Sequence, residues 1–262
     1  MPLLVYFTNS DVGQKTNIGS KIENSSLKDY CFFYYFCNVK IINYTKYPVP
    51  RLRHHANPVL YFPLSQHKNR NFKYPPLIEK FNWKELFSNG NQPGYLDVGC
   101  GLGKFLVETA VAEPEINILG FEVRQNAVEW TNSIIEGENI SNAHVLWYSV
   151  VNLLPFIENS SVKKIFYLFP DPWIKKRHHK RRAFSISLLN EFHRILSSDG
   201  VLYIMTDVPE VDEHHIEILN KHDGFKFQYS GDKDWDLPVL TNQEDFCVRK
   251  KIPYTRLKCW KL

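Results

Sequence analysis

The chain has 262 residues, 44% of them apolar and 15% aromatic, which suits one large domain or one domain with an extension. Its net charge is only +4, so positive charge acts through local clusters rather than through the total. Five cysteines (Cys31, Cys37, Cys100, Cys247, Cys259) without a C-x-x-C pair argue against a disulfide framework or a zinc site and for a reducing, cytoplasmic compartment.

Residues 1–50 read as an ill-defined N-terminal extension. The stretch TNSDVGQKTNIGSKIENSSLKD is polar, has no helical or strand period, and is expected to be mobile. The aromatic run from Tyr30 to Ile42 carries Lys40 and falls short of the ~20 apolar residues of a membrane span. The start lacks the basic region and apolar core of a secretion signal, so none is expected. An organellar leader stays open, although Asp11, Glu23 and Asp29 all precede the first arginine, Arg51.

From Arg51 to Phe87 the chain is rich in Pro, His, Asn and basic residues, and reads as an irregular basic arm ending in a short helix near Trp83–Phe87. His54 and His55 in this arm suit either phosphate contact or simple solvation. Regular alternation begins at Tyr95. YLDV reads as a buried strand, GKFLVETAVAE as an amphipathic helix, INILGFEV as a strand and QNAVEWTNSIIEGE as a helix. AHVLWYS and VKKIFYLF follow as strands. Leu188, Leu189, Phe192 and Ile195 then recur at helical spacing between Phe184 and Leu196. VLYIMTD is a strand after Gly200, EVDEHHIEILNKH a helix, and FKFQYS and YTRLKCWKL two closing strands. Strands alternating with helices predict an α/β fold: a doubly wound, mainly parallel, Rossmann-like sheet.

The first strand runs into LDVGCGLGKF, where Gly99, Gly101 and Gly103 permit a sharp turn and close approach of a ligand. The pattern is G-x-G-x-G, one residue short of the dinucleotide fingerprint. Glu122 closes the next strand, where a carboxylate can accept from both hydroxyls of a ribose. Loop and acid together predict a nucleoside cofactor, and on the loop alone NAD stays open. Asp97 inside the first strand favours S-adenosyl-L-methionine, whose cationic groups are attracted by carboxylates that would repel a pyrophosphate.

FPDPWIKKRHHKRR follows the fourth strand. Ligands of open α/β sheets bind beyond the carboxyl ends of the strands, so Asp171 is expected at the edge that holds the glycine loop. Pro170 and Pro172 stiffen the backbone on either side of it. Residues 175–182 hold three lysines, three arginines and two histidines without an acid. A block of this kind is either a solvated loop or a grip on the phosphates of a polyanion.

FPDPWIKKRHHKRR resembles the signature of the tRNA (guanine-N7-)-methyltransferase family. RLRHHANP, LDVGCGLG, GFEVR, Thr206–Asp207, TNQEDF and PYTR resemble its other motifs and stand in the expected order, over about residues 51–262. The resemblance implies a methyltransferase domain of residues 51–262, with its basic arm at 51–87, that uses S-adenosyl-L-methionine to methylate N7 of a guanine in tRNA, usually guanosine 46 of the variable loop. It implies Asp97, Gly99, Gly101, Glu122 and Arg124 at the cofactor, Asp171 as the active-site acid, and Lys175, Asp207, Thr241 and Glu244 at substrate or cofactor. Ser149 stands where the family usually has Asp or Asn facing the adenine. No metal is implied. Members act alone or with a non-catalytic β-propeller subunit, and the resemblance leaves that choice open. Two other readings are another RNA methyltransferase, against which stands the lack of a D-P-P-Y loop, and an inactive RNA-binding homologue, against which stand Gly99, Glu122 and Asp171.

Overall fold

The computed structural model describes residues 42–52, 56–68 and 71–262. The polar N-terminal stretch, the aromatic run up to residue 41 and the His54–His55 pair lie outside the described residues. Those described form one sheet from β1 (Tyr95–Val98), β2 (Ile118–Glu122), β3 (Ala143–Trp147), β4 (Val162–Leu168), β5 (Leu196–Thr206), β6 (Phe225–Tyr229) and β7 (Thr255–Lys261). The order across the sheet is β3-β2-β1-β4-β5-β7-β6. The first five strands are parallel, and β7 lies antiparallel between β5 and β6. This is the doubly wound, mainly parallel architecture expected from the alternation.

Helices cover both faces: α1 (Lys104–Ala112), α2 (Gln125–Gly137), α3 (Ile186–Ile195), α4 (Pro209–Leu219) and α5 (Asn242–Lys250). Side chains of a strand alternate between faces, and the two cores divide accordingly. Leu96, Val98, Ile165 and Tyr167 pack with Leu188, Leu189 and Phe192 of α3 on one side. Tyr95, Phe166 and Leu168 pack with Leu106 and Val107 of α1 and Ile134 of α2 on the other. Burial on both faces explains why β1 and β2 read as continuous apolar runs rather than as alternations.

Three local readings change. β5 starts at Leu196, before the expected Gly200, with an irregular register between Val162 and Lys164 of its neighbour. The helix expected near Trp83–Phe87 is a short 3-10 turn, Trp83–Glu85, capped by Asn82. The segment TNQEDF opens a helix that the periodicity does not reveal, α5. It is nucleated by a capping box in which Glu244 N–H donates to Thr241 Oγ1 while Thr241 N–H donates to Glu244.

Part of the expected extension is packed. Tyr44 Oη donates to Glu108 of α1 at 3.4 Å, Tyr47 Oη donates to Glu138 beyond α2 at 3.1 Å, and Trp130 Nε1 donates to Tyr47 O at 3.4 Å. No helix of the described residues is long and apolar enough to cross a membrane.

Candidate active site at the carboxyl edge of the sheet

The glycine loop leaves β1 and is held to β2, with the N–H groups of Gly99 and Cys100 both donating to Phe121 O at 2.9 and 3.1 Å. Gly99 has φ +81°, and a Cβ there would meet nothing within 4 Å, so its backbone faces open space. Gly103 has φ +65°, and a Cβ there would fall 2.2 Å from Thr131 Cγ2, so only glycine lets α1 start this close to α2.

Glu122 ends β2 with 4% of its surface exposed. Its carboxylate accepts from Gly101 N–H at 3.0 Å and Arg124 N–H at 2.8 Å, and Arg124 Nε and Nη2 add bonds of 3.1 and 3.2 Å. One carboxylate thus ties the glycine loop to the start of α2. Asp97 lies beside it, also buried. Burial pushes the Asp97 carboxyl up to about 8, and the Glu122 charge adds to the effect. The same burial, with Asp97 and Glu122 nearby, pushes the Cys100 thiol well up, so it stays protonated.

Asp171 enters from the loop after β4. Phe169 and Trp173, two residues to either side, both have positive φ, +50° and +42°. Such conformations cost roughly 1–3 kcal/mol each and persist only where the surroundings enforce them. Phe169 is held by its N–H, which donates to Met205 O of β5 at 2.8 Å. The Asp171 carboxylate accepts from the hydroxyl of Tyr61, on the arm. The ring of Tyr61 meets Trp173 edge-on at 5.0 Å, and Arg181 lies over the Trp173 ring at 4.8 Å.

One cavity at this edge is lined by Gly99, Glu122, Arg124, Ser149 and Asp171, together with Tyr61. Ser149 lines it with its hydroxyl already committed, donating to Leu60 O at 2.5 Å. The other expected residues stand apart from this lining. Lys175 is exposed at the start of the basic turn. Asp207 follows β5 and accepts from Gln243 Nε2 of α5 at 2.8 Å. Thr241 caps α5, and Glu244 is 1% exposed, accepting from Arg256 Nη2 at 2.7 Å. Asp207, Thr241 and Glu244 therefore form a second group around the start of α5. Sequence reasoning missed Tyr61, Trp173's partner on the arm, and Arg256, which meets Glu244 across the sheet edge.

The basic run folds as a 3-10 turn, Lys176–Arg181. Lys175, Lys176, Arg177 and Lys180 are exposed. Arg182 is turned inward instead, donating to Pro172 O at 3.1 Å and Glu210 O at 3.2 Å. Desolvation and the surrounding Arg181, Arg177 and Lys175 charges hold His178 below its ordinary value. Among the described residues, no group of three or more His, Cys, Asp or Glu side chains is placed to hold a metal ion.

An open glycine backbone, a carboxylate beyond the adjacent strand and a buried acid that a cationic ligand would relieve fit a sulfonium nucleoside. Fold and site thus define a class: a doubly wound α/β protein with a cavity at the carboxyl edge of its sheet and an exposed cationic loop beside it. A protein-family model described as "Putative methyltransferase" matches residues 91–257. The tRNA (guanine-N(7)-)-methyltransferase of Thermosynechococcus vestitus is 33% identical over 208 residues, covering 78% of this chain and 91% of its own. Those of Synechococcus sp. strain JA-3-3Ab and Trichormus variabilis are 32% and 31% identical, covering 79% and 80% of this chain and 84% and 95% of theirs. The chain belongs to the tRNA (guanine-N7-)-methyltransferase family, and is an enzyme whose cofactor is S-adenosyl-L-methionine.

Proposed function

We propose that this chain methylates N7 of a guanine in tRNA, with guanosine 46 of the variable loop as the target, through a methyltransferase domain of residues 51–262 whose arm is 51–87. The observation that carries the reading is the position of Asp171. It shares a cavity with Gly99 and Glu122 and stands at the foot of the exposed cations Lys175, Lys176, Arg177 and Lys180.

S-adenosyl-L-methionine, when bound, supplies an electrophilic methyl group. Guanine N7 carries an in-plane lone pair and no proton, so the chain need not provide a general base. The cofactor is assigned to Gly99, Glu122, Arg124 and Ser149, which line the cavity, and to Asp97 and Gly101, which lie outside that lining, with Glu122 at the ribose. Asp171 is the catalytic acid in the sense that matters here: its negative charge stabilises the positive charge that grows on the purine. It also accepts from guanine N1–H and N2–H, which adenine does not offer in that arrangement. Lys175 contacts phosphate next to the target base. Asp207, Thr241 and Glu244, grouped around the start of α5, are assigned to the substrate side, the buried Glu244 through its hold on Arg256. Holding base and methyl group in line supplies much of the rate, up to roughly 7–11 kcal/mol in favourable cases.

The test is to incubate the purified chain with unmodified tRNA and the cofactor and to analyse nucleosides by mass spectrometry. N7-methylguanosine that disappears when guanosine 46 is replaced supports the reading. A methyl group on an exocyclic amine, or none, overturns it.

A further inference from the structure

Tyr61 lies 110 positions before Asp171 in the chain, yet its hydroxyl donates to Asp171 Oδ2. Burial, then the adjacent Asp171 charge, pushes this hydroxyl well above the ordinary phenol range. It therefore remains a donor at any working pH.

The segment carrying Tyr61 is tied down on both sides. Leu60 O accepts from buried Ser149 at 2.5 Å, and Leu64 N–H donates to Asn152 Oδ1 at 2.9 Å. Asn152 Nδ2 donates to Tyr74 Oη at 2.8 Å, and Tyr74 Oη donates to Phe62 O at 2.8 Å. His67 Nε2 donates to Val59 O at 3.0 Å, closing the turn on itself. Asn57 caps the Pro58–Tyr61 turn, whose proline presets φ. A side chain at the end of so many ties has a set position.

Asp171 has the opposite problem. Pro170 and Pro172 restrain its backbone but not the plane of its carboxylate, which turns about two side-chain bonds. A donor on one oxygen sets that plane and leaves the other oxygen facing the cavity.

We infer that Tyr61 is a positioning residue for Asp171: its hydroxyl takes one carboxylate oxygen and aims the other at the base. The inference rests on Asp171 being the group that meets the guanine. It gives the arm a role in the chemical step beyond any contact with phosphate.

Tyr61→Phe keeps the ring against Trp173 and removes only the donor. The expected result is a fall in kcat on unmodified tRNA of about ten- to a hundredfold, the scale of one hydrogen bond to a charged group. KM for the cofactor and Tm should stay close to wild type. In an Asp171→Ala background, the same substitution should cause almost no further loss, because its partner is gone. Three outcomes overturn the inference. One is an unchanged kcat for Tyr61→Phe. Another is a higher kcat or tighter tRNA binding, which would mean that the phenol obstructs the base. The third is an equal loss in both backgrounds, which would mean that it acts on the fold. If Asp171→Ala itself leaves the rate intact, the role proposed for Asp171 fails and this inference with it, while the N7-methylation activity stands. If Asp171→Ala is slow and Tyr61→Phe is as fast as wild type, only the role of Tyr61 fails.

Discussion

At Asp97 burial alone carries the carboxyl most of the way to about 8, and Glu122 adds the rest. The sign of the consequence follows from linkage. A folded pKa raised above the unfolded value favours the folded state below roughly pH 4, and that contribution is lost as pH climbs through about 8. A cationic ligand reverses the shift, so binding below pH 8 releases a proton. Affinity for S-adenosyl-L-methionine should therefore rise between pH 6.5 and 8, by up to about tenfold per unit. Calorimetry in buffers of different ionisation enthalpy should show the released proton, and a flat profile would separate Asp97 from the cofactor. Glu122→Ala should weaken cofactor binding by about 1.5–3 kcal/mol. Asp171→Asn keeps the shape and removes the charge, so single-turnover methyl transfer should fall by about two orders of magnitude with cofactor affinity much less affected. The places of these acids at the carboxyl edge were legible in the sequence because they depend on local pattern: a glycine loop, a strand end, two prolines. Tyr61 was not, because nothing near it in the chain marks a contact made 110 positions away. Ser149 was expected beside the adenine only by resemblance, and the bond of its hydroxyl to Leu60 O was not legible.

Among the elements, those with strong apolar periodicity were read correctly, and α3 is the clearest. Leu188, Leu189, Phe192 and Ile195 are all at most 1% exposed. Phe192→Ala should cost about 3–5 kcal/mol, measurable as a shift of the denaturant midpoint. α5 was missed for a physical reason. Its sequence NQEDFCVRK offers few apolar positions, and Cys247 and Glu244 are its buried residues. The helix exists because of its cap and because Glu244 pairs with Arg256, which is 11% exposed. Glu244→Ala would leave that guanidinium half-stranded, so a loss of about 3 kcal/mol is expected, along with the packing around Asp207. Thermal unfolding checks this. A stable but inactive variant would instead place Glu244 directly on the substrate. The arm defied periodicity too, since its short 3-10 turns are held by tertiary bonds rather than by any repeat.

For the whole molecule, the basic run divides into cations that face solvent and cations that brace the loop. Arg182 holds Pro172 O and Glu210 O, and Arg181 lies on Trp173. Replacing those two would disturb the loop that carries Asp171, so they are poor reporters of RNA contact. Lys176, Arg177 and Lys180 are exposed. Changing all three to alanine should weaken tRNA binding and reduce the slope of log affinity against log salt by about 2–3. kcat at saturating tRNA should stay near wild type, because uniform binding acts on KM. Parallel salt slopes would move the RNA surface to Arg51 and the arm.

The place of β7 between β5 and β6 governs the order in which the chain can assemble during synthesis. β5 emerges from the ribosome well before its second neighbour, since Thr206 pairs with Thr255, and β6 has β7 as its strand partner among the described residues. Until Thr255–Lys261 docks, the backbone of β5 from Val201 to Thr206 is an open β edge, the kind of surface that invites pairing with other chains. Pairing across so long an interval of sequence is also slow. A chain cut back before Thr255 should be cleaved readily by protease within the β5–β6 region, whereas the chain that carries Thr255–Lys261 should resist. The chain would then depend on chaperones most in the interval before β7 docks, after its glycine loop has already been made.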